Sequence, residues 1–404
     1  MRVRQWRNAS RALMVVGLLT VAVACGGDDT EGSGTSETTG DPIVLGAAVG
    51  QSGFVVPFDG PALQAAELAI ADVNERGGLL GRPIELIVRD SRSDPAEGGK
   101  AAVSLVDEGI DMLIVTCDFD LGAPAATVAQ DANLISMSLC AGSPKFGIEG
   151  IGDLAFTMGT ASPSEGAILA EFASQEKDWT KAYVLVDTTI QYDLDLAAGF
   201  EERFPELGGE IVGKDTFQNS DPSIASQITR LRQSDAEFIF IASYLPGIAQ
   251  AVRQIRAAGI DLPIVNGISL DGTFWLDAVP NLNDVFFLTN GSLHGDDPDD
   301  RVNEFVTRFE RETGKPLQIG LNYGGYSVIE AYALAVERAE STETELVKAE
   351  LEQFDKEELL IGETTFSPEY HISTTRPMRV MEIIDGTPTF SGSVVAPQKV
   401  PTIK

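Results

Sequence analysis

From residue 43 onward, the chain alternates short apolar runs with longer stretches that have a helical period. The runs at 43–49, 84–88 and 112–115 are rich in β-branched and large apolar residues, which is typical of buried strands. Between them, apolar residues recur every three or four positions, for example across 61–75, as they do on one face of a helix. Strands that alternate with helices form parallel sheets covered by helices on both faces. The sequence therefore predicts an α/β fold.

A second set of segments repeats the order of the first. Asp94-Pro95 and Asp221-Pro222 are each predicted to begin a helix, with the aspartate as N-cap and the proline as first helical residue. Each predicted helix is followed by an apolar strand, at 112–115 and at 238–242. A chain of 404 residues also suits two domains better than one. We infer two lobes that share one topology. The alternative is that any chain of alternating strands and helices shows internal similarity of this kind.

The first 24 residues have the pattern of a secretory signal peptide. Residues 1–11 carry four arginines, and the uncharged run at 12–24 is too short to span a bilayer core of roughly 30 Å. The residues around the expected cut, Ala22-Val23-Ala24-Cys25, resemble the lipobox of bacterial lipoproteins, with Ala22 where leucine is usual. An ordinary signal peptide followed by a chance cysteine is the alternative. We predict a lipid anchor on Cys25, and hence a protein held at the outer face of the plasma membrane or in the periplasm.

The chain is strongly acidic, with 61 acidic and 29 basic residues and a net charge of −32. Such a surface repels nucleic acid and anionic lipid. We therefore expect no nucleic-acid partner, and contact with the membrane through the lipid anchor alone.

The sequence offers no catalytic motif that we could place in a supporting context. It lacks the Gly-x-Gly-x-x-Gly fingerprint of dinucleotide-binding folds and a Gly-x-x-x-x-Gly-Lys-Ser/Thr phosphate loop. The two histidines, His294 and His371, are expected to be surface or loop residues, and the acidic run at 296–300 is expected to be a solvated loop that caps the next helix. We predict that the protein is not an enzyme and has no metal or cofactor.

Several motifs point to one family. They are the glycine-rich segment Asn74-Glu75-Arg76-Gly77-Gly78-Leu79-Leu80-Gly81-Arg82-Pro83-Ile84-Glu85-Leu86, the pattern D-x-x-x-D-P at 90–95, the pair Gln191-Tyr192, and the segment at 242–246. In order and spacing, residues 41–390 resemble the leucine/isoleucine/valine-binding type of periplasmic binding protein, which supplies ABC importers. The resemblance implies a two-lobed type I fold in which each lobe is a mostly parallel sheet flanked by helices. It also implies a small-molecule ligand, a membrane permease as partner, and a monomer.

The resemblance further implies that the chain crosses between the lobes three times, near 157–160, 288–292 and 362–366. We predict the following division: signal peptide 1–24, lipidated cysteine and flexible tether 25–41, lobe 1 from 42–158 and 290–364, lobe 2 from 159–289 and 365–390, and a tail at 391–404.

The ligand is expected beyond the carboxyl ends of the strands, where open α/β sheets bind their ligands. Tyr192 and Tyr244 match binding positions of the family, and aromatic neighbours would add an apolar wall. Core packing is the alternative for each aromatic residue. The predicted ligand-binding residues are Phe54, Phe58, Asp118, Phe119, Cys140, Ala141, Gly142, Tyr192, Tyr244 and Asp271.

Two loops depart from the family pattern in a way that bears on the ligand. The resemblance implies hydroxyl groups after the third and fourth strands to hold an amino-acid carboxylate, but here Asp118, Phe119, Asp120 and Gly142 occupy these loops. An aspartate there would repel a ligand carboxylate. Asp271 is the nearest candidate to hold a ligand amine. We therefore expect a branched-chain amino acid or a related small amphipathic compound; the alternative is a sensory module that passes its signal to a membrane partner.

Cys117 and Cys140 follow two strands that should be neighbours in the first sheet. Their Cα atoms would then fall within the range that a disulfide requires. If Cys25 is lipidated, these two remain as a pair in an oxidising compartment. We predict a disulfide that braces both loops; two free buried thiols are the alternative.

Overall fold

The computed structural model describes residues 40–402, so the predicted signal peptide, Cys25 and nearly all of the predicted tether lie outside the described residues. The described chain begins with a sheet of five parallel strands, in the order β2-β1-β3-β4-β5. Every residue of β3 and β4 is buried, because helices cover both faces. The strands are β1 (Ile43–Val49), β2 (Ile84–Asp90), β3 (Met112–Val115), β4 (Ile135–Ser138) and β5 (Ala155–Thr157).

A second sheet has seven strands, in the order β14-β13-β10-β9-β8-β6-β7. Its strands β6 to β10 are parallel, whereas β13 and β14 are added antiparallel at one edge. A short hairpin, β11 with β12, stands apart from both sheets. These strands are β6 (Lys181–Asp187), β7 (Glu210–Phe217), β8 (Phe238–Ala242), β9 (Ile264–Asn266), β10 (Val285–Thr289), β11 (Glu357–Leu359), β12 (Gly362–Thr364), β13 (Met378–Ile384) and β14 (Thr387–Val395).

Ten α-helices in the described part of the chain cover the two sheets. They are α1 (Val56–Glu75), α2 (Pro95–Asp107), α3 (Phe119–Asp131), α4 (Ser162–Glu171), α5 (Gln191–Glu206), α6 (Ala225–Leu231), α7 (Gly247–Ala257), α8 (Asp300–Thr313), α9 (Tyr323–Ala339) and α10 (Thr344–Leu351). Helices α1, α8, α9 and α10 pack on one face of the first sheet, and α2 and α3 on the other. Helices α4 and α5 cover one face of the second sheet, and α6 and α7 the other. This arrangement confirms the predicted α/β fold.

The two Asp-Pro motifs behave differently. The Asp94 side chain accepts a hydrogen bond from the Glu97 amide at 2.9 Å and caps α2, as predicted. Asp221 does not cap a helix, because α6 begins only at Ala225. The Asp221 carboxylate instead accepts from the Gln218 amide within a turn.

The end of the chain is also more ordered than predicted. Residues 391–395, predicted to be a tail, form the second half of β14, and Val394 and Val395 pair with β13. His371, expected at the surface, is buried: its ring stacks on Phe156 and contacts the Glu352 carboxylate.

The chain passes between the elements of the two sheets after β5, after β10 and after β12, and a buried arginine joins two of these passages. The Arg376 guanidinium donates to the Met158 carbonyl at 2.7 Å and to the Thr160 hydroxyl at 3.2 Å. It also donates to the Glu363 carbonyl and to the Thr364 hydroxyl. Arg376 therefore ties the segment after β5 to the strand β12.

A second buried arginine corrects the prediction for the acidic run. Asp299 caps α8 through the Arg301 amide, as expected. Asp297, however, is not solvated: its carboxylate is buried and pairs with the guanidinium of Arg379 at 3.0 and 3.1 Å. The same carboxylate accepts from the Ser292 amide at 2.7 Å. This ion pair therefore joins the segment after β10 to β13.

Candidate ligand-binding site

A cleft with about 760 Å³ of open space, counted out to the solvent, lies beyond the carboxyl ends of strands from both sheets. Most of its lining belongs to the segments that follow β1, β3 and β4 of the first sheet and β6, β8 and β9 of the second. Its walls are mainly apolar and aromatic. The lining residues are Phe54, Val55, Phe58, Cys117, Asp118, Phe119, Asp120, Leu121, Cys140, Gly142, Ser143, Ile190, Tyr192, Tyr244, Ile268, Ser269 and Leu321.

A buried carboxylate organises the wall formed by the first sheet. Asp59, on α1, accepts hydrogen bonds from the Gly50 amide at 2.6 Å and from the Cys117 amide at 2.9 Å. Burial raises the pKa of Asp59 to about 6, although these hydrogen bonds oppose the shift. The loops after β1 and β3 are therefore held together by one side chain.

The sulfurs of Cys117 and Cys140 are bonded to each other, with their Cα atoms 4.5 Å apart. This pair lines the cleft and joins the loops after β3 and β4. Replacing both cysteines by serine should lower the free energy of unfolding by about 2–4 kcal/mol, since the unfolded chain loses a constraint. Urea denaturation with and without a reducing agent checks this. Two thiols that titrate in the unfolded, non-reduced protein would contradict the disulfide.

A hydrogen-bond chain organises the wall formed by the second sheet. The Tyr192 hydroxyl donates to the Glu165 carboxylate at 2.7 Å, and the Ile268 amide donates to the same oxygen at 3.0 Å. Glu165 is fully buried, and this burial raises its pKa to about 7. Tyr192 is thereby fixed with its ring against the cleft. Tyr244 is half-buried at the end of β8.

The two walls touch each other directly. The Asp120 carboxylate, on α3, accepts from the Gln191 amide at the start of α5 at 2.9 Å. The Ser143 hydroxyl donates to the Asp195 carboxylate at 2.7 Å, and the Lys145 ammonium donates to the Gln191 side chain at 3.0 Å. Polar contacts therefore connect the walls along one side of the cleft.

Eight of the ten predicted ligand-binding residues line this cleft: Phe54, Phe58, Asp118, Phe119, Cys140, Gly142, Tyr192 and Tyr244. Ala141 does not, because its side chain packs in the core of the first sheet. Asp271 does not either. Its carboxylate is buried and accepts from the Gly272 and Gly320 amides and from the Thr289 hydroxyl within the protein.

Besides Cys117 and Asp120, which the sequence analysis placed in these loops, the remaining lining side chains were not singled out from the sequence. Ser143, Ile190, Ile268 and Ser269 lie in loops that follow predicted strands, so their position was a usable signal. Leu321 lies between α8 and α9, and no motif marks it.

The charges of the cleft are one-sided. Asp118 and Asp120 are among its lining residues, and no lysine, arginine or histidine in the described chain is. Burial, together with the neighbouring charges of Asp120 and Asp59, raises the pKa of Asp118 to about 7. The cleft can therefore hold an apolar body and accept hydrogen bonds or positive charge.

Residues 42–388 match the sequence model of a family described as periplasmic binding protein. The chain belongs to the periplasmic binding protein family. No helix of residues 40–402 combines the length and the apolar character needed to cross a membrane.

Known proteins similar to this binding protein share its fold. A Leu/Ile/Val-binding protein of Citrobacter freundii is 26% identical over 217 residues, which cover 54% of this chain and 58% of that protein, so the match spans little more than half of the relative. A branched-chain amino acid transporter substrate binding protein from Streptococcus pneumoniae, in complex with isoleucine, has a TM-score of 0.77 at 22% identity and covers 88% of this chain and 100% of its own. A solute binding protein of an ABC transporter from R. palustris, in complex with benzoate, has a TM-score of 0.73 at 16% identity. This match covers 90% of the present chain and 98% of the R. palustris chain.

These similarities confirm the predicted two-lobed, type I fold. The family and the similar proteins named here are described as binding proteins, in agreement with the prediction that this chain is one.

Proposed function

We propose that this binding protein is the extracytoplasmic solute-binding component of an ABC importer. The observation that carries the proposal is the aromatic cleft between loops of two sheets, with polar contacts that already join its walls. A solute held there would contact both walls and stabilise their closed arrangement. The partner would be a membrane permease that receives the solute, and the protein would act as a lipid-anchored monomer tethered through Cys25.

The proposed ligand is a small amphipathic organic compound, either a branched-chain amino acid or a related solute. Phe54 supports this, because a large apolar side chain that is 53% exposed on the cleft would gain from being covered. Proteins of this fold bind isoleucine in one solved structure and benzoate in another, so the fold admits amino acids and other small solutes alike.

The first test is a thermal-shift screen of the purified full-length protein against leucine, isoleucine, valine, benzoate, uncharged analogues and small organic amines. A ligand at 100 times its Kd contributes about 2.7 kcal/mol, which should raise the Tm by about 2–4 °C. Tyr244→Ala should weaken binding of the hit about tenfold, since it removes one wall of the cleft. The matched control, Tyr370→Ala, alters a tyrosine away from the cleft and should leave the affinity unchanged. A screen without any stabilising compound would contradict the proposal.

A further inference from the structure

The cleft is flanked by more negative charge than its two lining aspartates supply. Asp193, in the first turn of α5, lies close enough to Asp187, at the end of β6, and to Asp118 and Asp120 for their charges to act on it. Tyr244, on the cleft wall, lies in the field of all four. These four aspartates, which we call the acidic cluster, come from both walls.

Asp193 is the unusual member of the acidic cluster. It is fully buried, and neither of its carboxylate oxygens has a hydrogen-bond partner among the described residues. Asp187, in contrast, accepts hydrogen bonds from Thr189, Asn219 and Ser243. An unpaired buried carboxylate is costly, and a structure retains one mostly where another group completes it. Asp193 therefore marks a place where a donor or a positive charge is needed.

Several backbone donors near the acidic cluster are occupied by the chain's own carboxylates. Asp118 caps α3 through the Leu121 amide at 3.0 Å, and Asp120 accepts from Gln191, the first residue of α5. The Asp59 carboxylate accepts hydrogen bonds from the amides of Gly50 and Cys117. These four amide groups are therefore not available to a ligand carboxylate. A carboxylate entering the cleft would also meet the like charges of Asp118 and Asp120.

We propose that the cleft selects an organic cation, namely a compound with a protonated amine on an apolar body and without a free carboxylate. The ammonium group would lie at Asp118 and Asp120 beside the Tyr244 ring, and Asp193, buried behind the lining next to Tyr192, would act on it through its charge. The apolar body would lie against the phenylalanines of the wall, where aromatic rings also attract cations. This inference rests on the proposed function, because it takes the cleft as the solute site.

The test uses three probes with one apolar body: phenethylamine, phenylalanine and 3-phenylpropanoate. Calorimetry on the full-length protein should show the amine binding at least about tenfold more tightly than the zwitterion, and the acid not at all. The same order is expected for 3-methylbutylamine, leucine and 4-methylpentanoate. Tighter binding of the zwitterion or the acid would overturn the proposal that the ligand is a cation, but it would leave the proposed solute-binding function intact. Absence of binding by all six would contradict both.

Two variants locate the charge that is needed. Asp193→Asn should weaken amine binding roughly 30-fold, because it removes one partner of a buried charge pair. Asp118→Asn should do likewise, and asparagine can still cap α3. The matched control is Asp261→Asn, an exposed residue before β9 at the opposite end of the sheet, which should leave the affinity unchanged. If Asp193→Asn folds and binds the amine as tightly as the unaltered protein, the assignment fails.

A pH series gives an independent readout. Burial raises the pKa of Asp118 to about 7, where Asp120 and Asp59 face it, and it raises the pKa of Asp193 well above the usual value, where Asp187, Asp118 and Asp120 face it. Binding of a cation favours the ionised carboxylates and so releases protons. The amine affinity should therefore rise about tenfold from pH 6 to pH 8 for each such group that ionises in this range. An amine affinity that is constant or falls between pH 6 and pH 8 would contradict the proposal that the ligand is a cation.

Discussion

Arg376→Met should lower the free energy of unfolding by about 3–5 kcal/mol. The guanidinium is fully buried and bonded to the carbonyls of Met158 and Glu363 and the hydroxyls of Thr160 and Thr364. Methionine fills much of the same volume but donates no hydrogen bond. Four buried acceptors would then lose a donor, where the chain passes between the two sheets.

Urea denaturation, followed by circular dichroism, measures this loss. Arg253→Met is the matched control, because Arg253 is exposed on α7 and a surface change of this kind costs within about 0.5 kcal/mol. Equal midpoints for the two variants would show that Arg376 contributes nothing beyond its packing. Since Arg376 does not line the cleft, the variant should bind the solute with unchanged affinity wherever it remains folded.

Arg379→Met should be about equally damaging, at roughly 3–5 kcal/mol, for a different reason. Its partner is an anion: Asp297 would remain buried and charged without its bidentate counterion. The loss should be partly reversible. Adding Asp297→Asn to Arg379→Met removes the orphan charge while the amide oxygen can still accept from the Ser292 amide.

A double-mutant cycle separates these contributions. We expect the double variant to be more stable than Arg379→Met alone, which would give a coupling energy of about 1–3 kcal/mol between the two residues. Strictly additive losses would mean that the two side chains act independently. Comparison with Arg376→Met then distinguishes a buried arginine held by neutral acceptors from one held by an ion pair.

The alternation of strands and helices was predictable because burial on both faces gives a sheet a simple apolar signature. β1 and β3 were predicted to the residue, and the cap at Asp94 was recognisable from two adjacent side chains. The same dipeptide at Asp221 failed, since the choice between a cap and a turn depends on the chain around it. Local signals therefore determine where elements lie better than how they begin.

The residues of the candidate site were predictable where they directly follow the carboxyl end of a strand. Tyr192, Tyr244 and the phenylalanines follow strand ends, and those ends meet at one edge of each sheet. Asp271 also follows a strand end, but its carboxylate is taken up by Thr289 and Gly320, which come from distant parts of the chain. Buried arginines such as Arg376 were missed for a related reason: composition predicts that a charged residue is exposed, and only tertiary partners make its burial tolerable.

The hydrogen bonds that join the cleft walls, such as that between Asp120 and Gln191, contain no ligand atom. At about 1 kcal/mol each, they bias the equilibrium between open and shut forms before any solute arrives. A solute shifts this equilibrium only by the difference between its affinities for the two forms. We therefore expect a measurable population of shut, unloaded molecules. A permease that recognised the shut shape alone would also dock these molecules, so that import would depend on the ratio of loaded to unloaded protein at the membrane.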